Sequence, residues 1–112
     1  MAVIFEVIPN DGKQKEYLDI AAKLKPELEK IPGFISIERF QSFTTSNKVL
    51  SLSFWESENA IQKWRNLEFH RKAQSAGRDF IFKDYHLRIG YIMRDYGMLD
   101  RTQAPEDSRT YH

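Results

Sequence analysis

The sequence predicts an α+β domain whose elements follow the order β-α-β-β-α-β, and three observations predict it. Two long stretches repeat their apolar residues at three- and four-residue steps, as helices do; four shorter ones are rich in β-branched and aromatic residues; turn formers or a cap separate them. That order gives a ferredoxin-like unit, a four-stranded antiparallel sheet carrying both helices on one face.

Residues 2–8, AVIFEVI, form the first strand and run into the turn formers Pro9, Asn10, Asp11 and Gly12. Tyr17, Ile20, Ala21, Leu24, Leu28 and Ile31 then mark one stripe of a helix over about 13–31, with lysines and glutamates opposite and a kink expected at Pro26. Residues 34–43, FISIERFQSF, read as a second strand with Phe34, Ser36, Glu38 and Phe40 on one side. Thr44 to Asn47 suits a hairpin loop, and 49–55 return as the third strand. Ser57 is a good N-cap, Glu58 favours the positive end of the helix that follows, and Gly77 would stop it. Residues 85–93 alternate Tyr85, Leu87, Ile89, Tyr91 and Met93 against His86, Arg88, Gly90, Ile92 and Arg94, giving the fourth strand. The domain thus covers 1–96, and 97–112 form a polar C-terminal tail with little to bury.

Both sides of the central strands carry large apolar residues, yet the helices cover only one. The second face calls for another copy of the chain, a homodimer in which two sheets pack together. The 112 residues suffice for one core, and 41% hydrophobic with 29% charged residues is the composition of a globular protein. The 17 basic and 16 acidic residues are interspersed, which argues against a nucleic-acid partner. The absence of cysteine excludes disulfides and thiolate chemistry, and no segment approaches the roughly 18 apolar residues of a membrane span. A cytoplasmic location is the default expectation. No phosphate loop, nucleophile elbow or metal-binding His/Glu cluster is present, so hydrolases and nucleotide enzymes drop out and no metal site is expected.

The chemistry-bearing residues concentrate between 54 and 85: Phe54, Trp64, His70, Arg78 and Tyr85. Together an indole, an imidazole, a guanidinium and a phenol suit a flat, oxygen-bearing organic ligand. Each also has a plainer role. Trp64 suits a core position, Tyr85 packing, Arg78 the negative end of its helix, and His70 a hydrogen bond to a carboxylate such as Asp84.

The segments IPGFISIERF (31–40), LSFWES (52–57) and WRNLEFHRKAQSAGRDFIFKDYHLRI (64–89) resemble the antibiotic biosynthesis monooxygenase family of dimeric α+β barrels. The spacing of Trp64, His70, Ala73-Gln74, Gly77-Arg78 and Asp84-Tyr85 carries most of that likeness. It implies a small-molecule pocket between helices and sheet in each protomer, and three functions. One is a monooxygenase acting on an aromatic or quinone-like compound with dioxygen, without metal or other cofactor; the others are haem binding or degradation with altered ligation, and a non-catalytic ligand-binding dimer. Haem is disfavoured, because the haem-degrading branch resembles this chain at Trp64 but has a ligating histidine where Gln74 stands, and an asparagine near Glu6. For oxygenation, residue types assign His70 as base and Arg78 as anion stabiliser, with Trp64, Tyr85 and Phe54 lining a flat cavity.

Overall fold

The computed structural model describes residues 1–74 and 81–111, and side-chain surroundings for 1–66 and 81–108. Among them β1 (Ala2–Pro9), α1 (Gln14–Glu29), β2 (Phe34–Gln41), β3 (Val49–Trp55), α2 (Glu58–Gln74) and β4 (Phe82–Gly90) follow the predicted order, and a short α3 (Glu106–Tyr111) comes after them. The strands form one antiparallel sheet in the order β2-β3-β1-β4. No described helix is long and apolar enough to cross a membrane.

Alternation along β3 defines the two sides of the sheet. Val49, Ser51, Ser53 and Trp55 are buried, whereas Leu50, Leu52 and Phe54 on the other side are only half-buried. The first set faces the helices. The pairings carry this division outwards, so Val3, Phe5 and Val7 of β1 and Tyr85, Leu87 and Ile89 of β4 share the helix-facing side, while Ile4, Glu6, His86 and Arg88 share the open face.

The second strand departs from the expected alternation. Its register shifts between Phe34 and Ser36, so Phe34 pairs with Trp55 on the helix-facing side while Ser36, Glu38 and Phe40 remain on the open face. Phe34 therefore does not share a side with Phe40. Its ring meets Trp55 edge-on, with centroids 5.1 Å apart. The fourth strand begins at Phe82 instead of Tyr85 and ends at Gly90 instead of Met93, because Gly90 pairs with Ala2, the first residue of β1.

The helices dock through the predicted stripes. Tyr17, Ala21 and Leu28 are the buried residues of α1, which runs without a break through Pro26. The Ser57 hydroxyl accepts the Ala60 amide at 3.3 Å, capping α2 as expected. Ala60, Ile61 and Trp64 then pack with Val3, Leu28 and Trp55 in the main core cluster. Gly33 makes the approach between β2 and α2 possible. Its φ is +93°, and a Cβ there would lie 2.9 Å from Ala60 Cβ. The tail also buries more than its composition suggests, since Ala104 is nearly inaccessible.

Two outcomes follow from this packing. Gly33→Ala adds a steric clash to a left-handed backbone and should lose about 2–4 kcal/mol in denaturant unfolding, whereas Gly12→Ala, with φ +77° and open space around it, should lose about 1–2. Equal losses would contradict the close approach of Gly33 to α2. Trp64→Ala should cost about 3–5 kcal/mol and Trp64→Phe less than about 1.5, because the indole is 9% exposed inside the core cluster. A loss below about 1 kcal/mol for the alanine variant would place Trp64 outside the core.

Candidate functional site

The helix-facing side of the sheet carries two aromatic groups. In the first, Trp55 lies between Phe34 and Trp64, with the two indole centroids 6.1 Å apart, and Trp55 Nε1 donates to Ser53 Oγ at 2.8 Å. The second joins Phe5, Tyr17, Phe82 and Tyr85. Phe5 stands 6.2 Å from Phe82 and 5.7 Å from Tyr85; Phe82 stands 5.7 Å from Tyr17 and 6.2 Å from Tyr85. All of these pairs are edge-on or tilted, as ring quadrupoles favour. Leu87 packs against the first group and pairs in the ladder with Phe5 of the second, so the two groups border one continuous apolar floor. Tyr85 on that floor is 55% exposed.

Trp64 and Tyr85 thus share the side of the sheet that faces the helices. Phe54 does not join them: it sits one residue before Trp55 and therefore on the open face, beside a cleft lined also by Met1, Ile35 and Ile92. His70 lies on α2 with its side chain outside the described surroundings, and Arg78 lies outside the described residues. Phe5, Tyr17 and Phe82 were not singled out by sequence reasoning. Tyr17 already marked the inner stripe of α1, and Phe5 follows from the alternation of β1. Phe82 gave no such signal, because its place depends on a shift of register between Ile8 and Pro9.

The polar content of the floor is small. Across the four strands the helix-facing positions hold aromatic and aliphatic residues, the buried Ser51 and Ser53, and Arg39 and Gln41 paired opposite Ser51 and Val49. They hold no carboxylate and no imidazole. Charge collects instead on the open face, where Arg88 Nη1 donates to Glu6 Oε2 at 2.9 Å and Lys48 Nζ lies 3.6 Å from Glu6 Oε1. The hydrogen bond from Arg88, with the Lys48 charge behind it, holds the Glu6 carboxyl below its ordinary value. Glu6 is consequently an ionised surface group on the face opposite Trp64. Among the described residues no group of His, Asp and Glu side chains is arranged to hold a metal ion.

Comparison with known proteins agrees with this frame. The profile of the antibiotic biosynthesis monooxygenase family matches residues 1–76. Jasmonate monooxygenase ABM of Pyricularia oryzae is 45% identical over 91 residues, which cover 81% of this chain and 42% of that protein. The chain therefore spans less than half the length of that relative. Among solved structures, Rv0793 from Mycobacterium tuberculosis superposes with a TM-score of 0.70 at 10% identity, over 86% of this chain and 97% of that one. A variant of MhuD with two manganese protoporphyrin IX molecules bound per active site gives 0.66 at 21% identity, again over 86% and 97%. These two likenesses concern the fold, while the profile reaches from β1 through α2 and so includes Trp64 and the β1 part of the floor but not β4. The chain belongs to the antibiotic biosynthesis monooxygenase family.

Proposed function

We propose that this protein is a monooxygenase of small aromatic or quinone-like compounds that uses dioxygen without a metal or other bound cofactor, and that it works as a homodimer. One observation carries the reading: the helix-facing side of the sheet is an apolar floor bordered by Trp64 and Tyr85, the surface a flat hydrophobic ring system would cover. The 45% identity to a jasmonate monooxygenase supports the reaction class.

The chemistry asks little of the protein. A base takes a proton from a phenol or an activated ring carbon, and the electron-rich anion gives electrons to dioxygen. Carbon and oxygen join as a hydroperoxide, and where that carbon keeps a hydrogen, loss of water leaves a carbonyl. One oxygen atom ends in the product and the other in water, the substrate supplying all the electrons. The helix-facing side of the sheet offers no carboxylate or imidazole of its own. His70 on α2 is the proposed base and Arg78 the proposed partner of the anion. The open face, with half-buried Ile4, Leu50, Leu52 and Phe54 and exposed Phe40, is the proposed dimer surface.

Oxygen uptake with a panel of anthrones and naphthohydroquinones tests the reading. Purified protein without added metal or flavin should consume one dioxygen per product molecule, the product gaining one oxygen atom from dioxygen and no hydrogen peroxide being released. Binding without uptake would leave a ligand-binding dimer, and a shifted Soret band on adding haem would favour a haem protein. If His70 is the base, His70→Ala should lower turnover by about 10²–10⁴-fold with fold and dimer intact, and the parent rate should rise with pH through the ordinary imidazole range near about 6.5. An active His70→Ala protein with a pH-independent rate would remove that assignment.

A further inference from the structure

Among the helix-facing positions paired in the ladder, one residue carries a charge. Arg39 stands on β2, half-buried, and its Nε is shut off from water without a hydrogen-bond acceptor. Among the described residues none forms an ion pair with it. A charged donor taken out of water is costly unless it meets an acceptor, so a group of this kind in a folded protein calls for an explanation.

The ladder puts Arg39 at the end of a row that leads to the proposed floor. Arg39 pairs with Ser51 of β3, Ser51 with Phe5 of β1, and Phe5 with Leu87 of β4. The next row on the same side runs through Gln41, Val49, Val7 and Tyr85. Both rows are polar at the β2 edge and apolar or aromatic towards β4. Arg39 lies two strand spacings from Phe5, about 10 Å, and the residue between them is a serine, whose short side chain keeps the row low at that point. Gln41 is already engaged: its Oε1 accepts from Gln14 Nε2 at 2.8 Å, and its Nε2 donates to the Ser42 carbonyl at 3.2 Å. Arg39 is the donor of this edge with an N–H left over.

We propose that Arg39 binds an acid group of the substrate, so that the compounds turned over on the floor are flat apolar ring systems carrying a carboxylate at one end. The inference rests on the monooxygenase reading above and names its substrate class. Guanidinium chemistry selects the carboxylate. Nε and the neighbouring Nη form an edge of two parallel N–H donors that matches the two oxygens of a carboxylate, and the Nε without an acceptor is half of that edge. Partial burial strengthens such a pair relative to one in open water. The acid group anchors the ligand and does not react, so the balance of the oxygenation is unaffected. With the acid at β2, the ring system lies over Phe5 and Leu87.

Two probes of nearly the same shape, 2-naphthoate and 2-naphthamide, differ in the charge that Arg39 would read. Titrations at pH 7 are followed by the indole N–H of Trp64 and the Nε–H of Arg39. The parent should bind the acid at least about 10-fold more tightly than the amide, and the acid should move the Arg39 Nε–H in step with Trp64. In Arg39→Gln the ratio of the two dissociation constants should fall to near one. Arg39→Met, which keeps an apolar stem and leaves no buried donor, gives the same reading if the glutamine variant fails to fold. A ratio that stays at the parent's value in either folded variant would overturn the assignment. So would a parent ratio near one, the result expected if the guanidinium only reaches back to water from the sheet edge. In both of those cases a saturable shift of Trp64 leaves the floor standing. If neither probe moves Trp64, the floor falls together with the role of Arg39.

Discussion

Trp55 is the point at which the elements of this fold are tied together. Its indole is fully buried, meets Phe34 edge-on and lies against Trp64, so one side chain joins the start of β2, the end of β3 and the first turns of α2. Its backbone closes the sheet at the same place: the Trp55 amide donates to the Met1 carbonyl at 2.8 Å, and the Met1 amino group donates to the Trp55 carbonyl at 2.7 Å. The indole N–H is satisfied by Ser53, which a buried donor requires. Removing the ring would open a cavity and leave a buried hydroxyl without its partner. The position of Trp64, and with it one border of the proposed substrate floor, depends on this contact.

From Trp55 the two-residue period of a strand divides the labour of the sheet. One residue earlier, Phe54 turns to the open face, so two adjacent aromatic residues serve different surfaces. The helix-facing side is aromatic and poor in charge, suited to an apolar ring system. The open face mixes half-buried aliphatic residues with the Glu6, Lys48 and Arg88 group. Charges that are tolerable on an open, partly solvated face would be costly beneath the helices, where they would lose water without gaining partners.

Most of the fold was legible because its signals are local. The stripe Tyr17, Ala21, Leu28, the cap at Ser57 and the alternation of β3 are each written within a few residues of chain, and the structure bears them out. What sequence reasoning missed is set between strands. The bulge that turns Phe34 toward Trp55, the early start of β4 at Phe82 and its end at Gly90 all follow from the register of a neighbouring strand, to which the local pattern is blind. The candidate site divides in the same way. Trp64 was readable as an inward-facing position of its helix, whereas Tyr85 and Phe54 were grouped with it by residue type; Tyr85 shares its side of the sheet and Phe54 stands on the other face. The apolar content of 91–99 was visible in the sequence. Its exposure was not, because continuation of the strand to Met93 would have paired part of it.

The central claim is that ligand binds on the helix-facing side of the sheet, against Trp64 and the floor of β1 and β4. Titration with 1,4-naphthoquinone, followed by the indole N–H of Trp64 and the methyl resonances of Leu87, Leu50 and Leu52, tests it directly, and a chain without cysteine cannot form thiol adducts with the quinone. Trp64 and Leu87 should shift in a saturable manner while Leu50 and Leu52 stay in place. Shifts confined to Leu50 and Leu52, with Trp64 and Leu87 unmoved, would put the ligand on the open face and contradict the account.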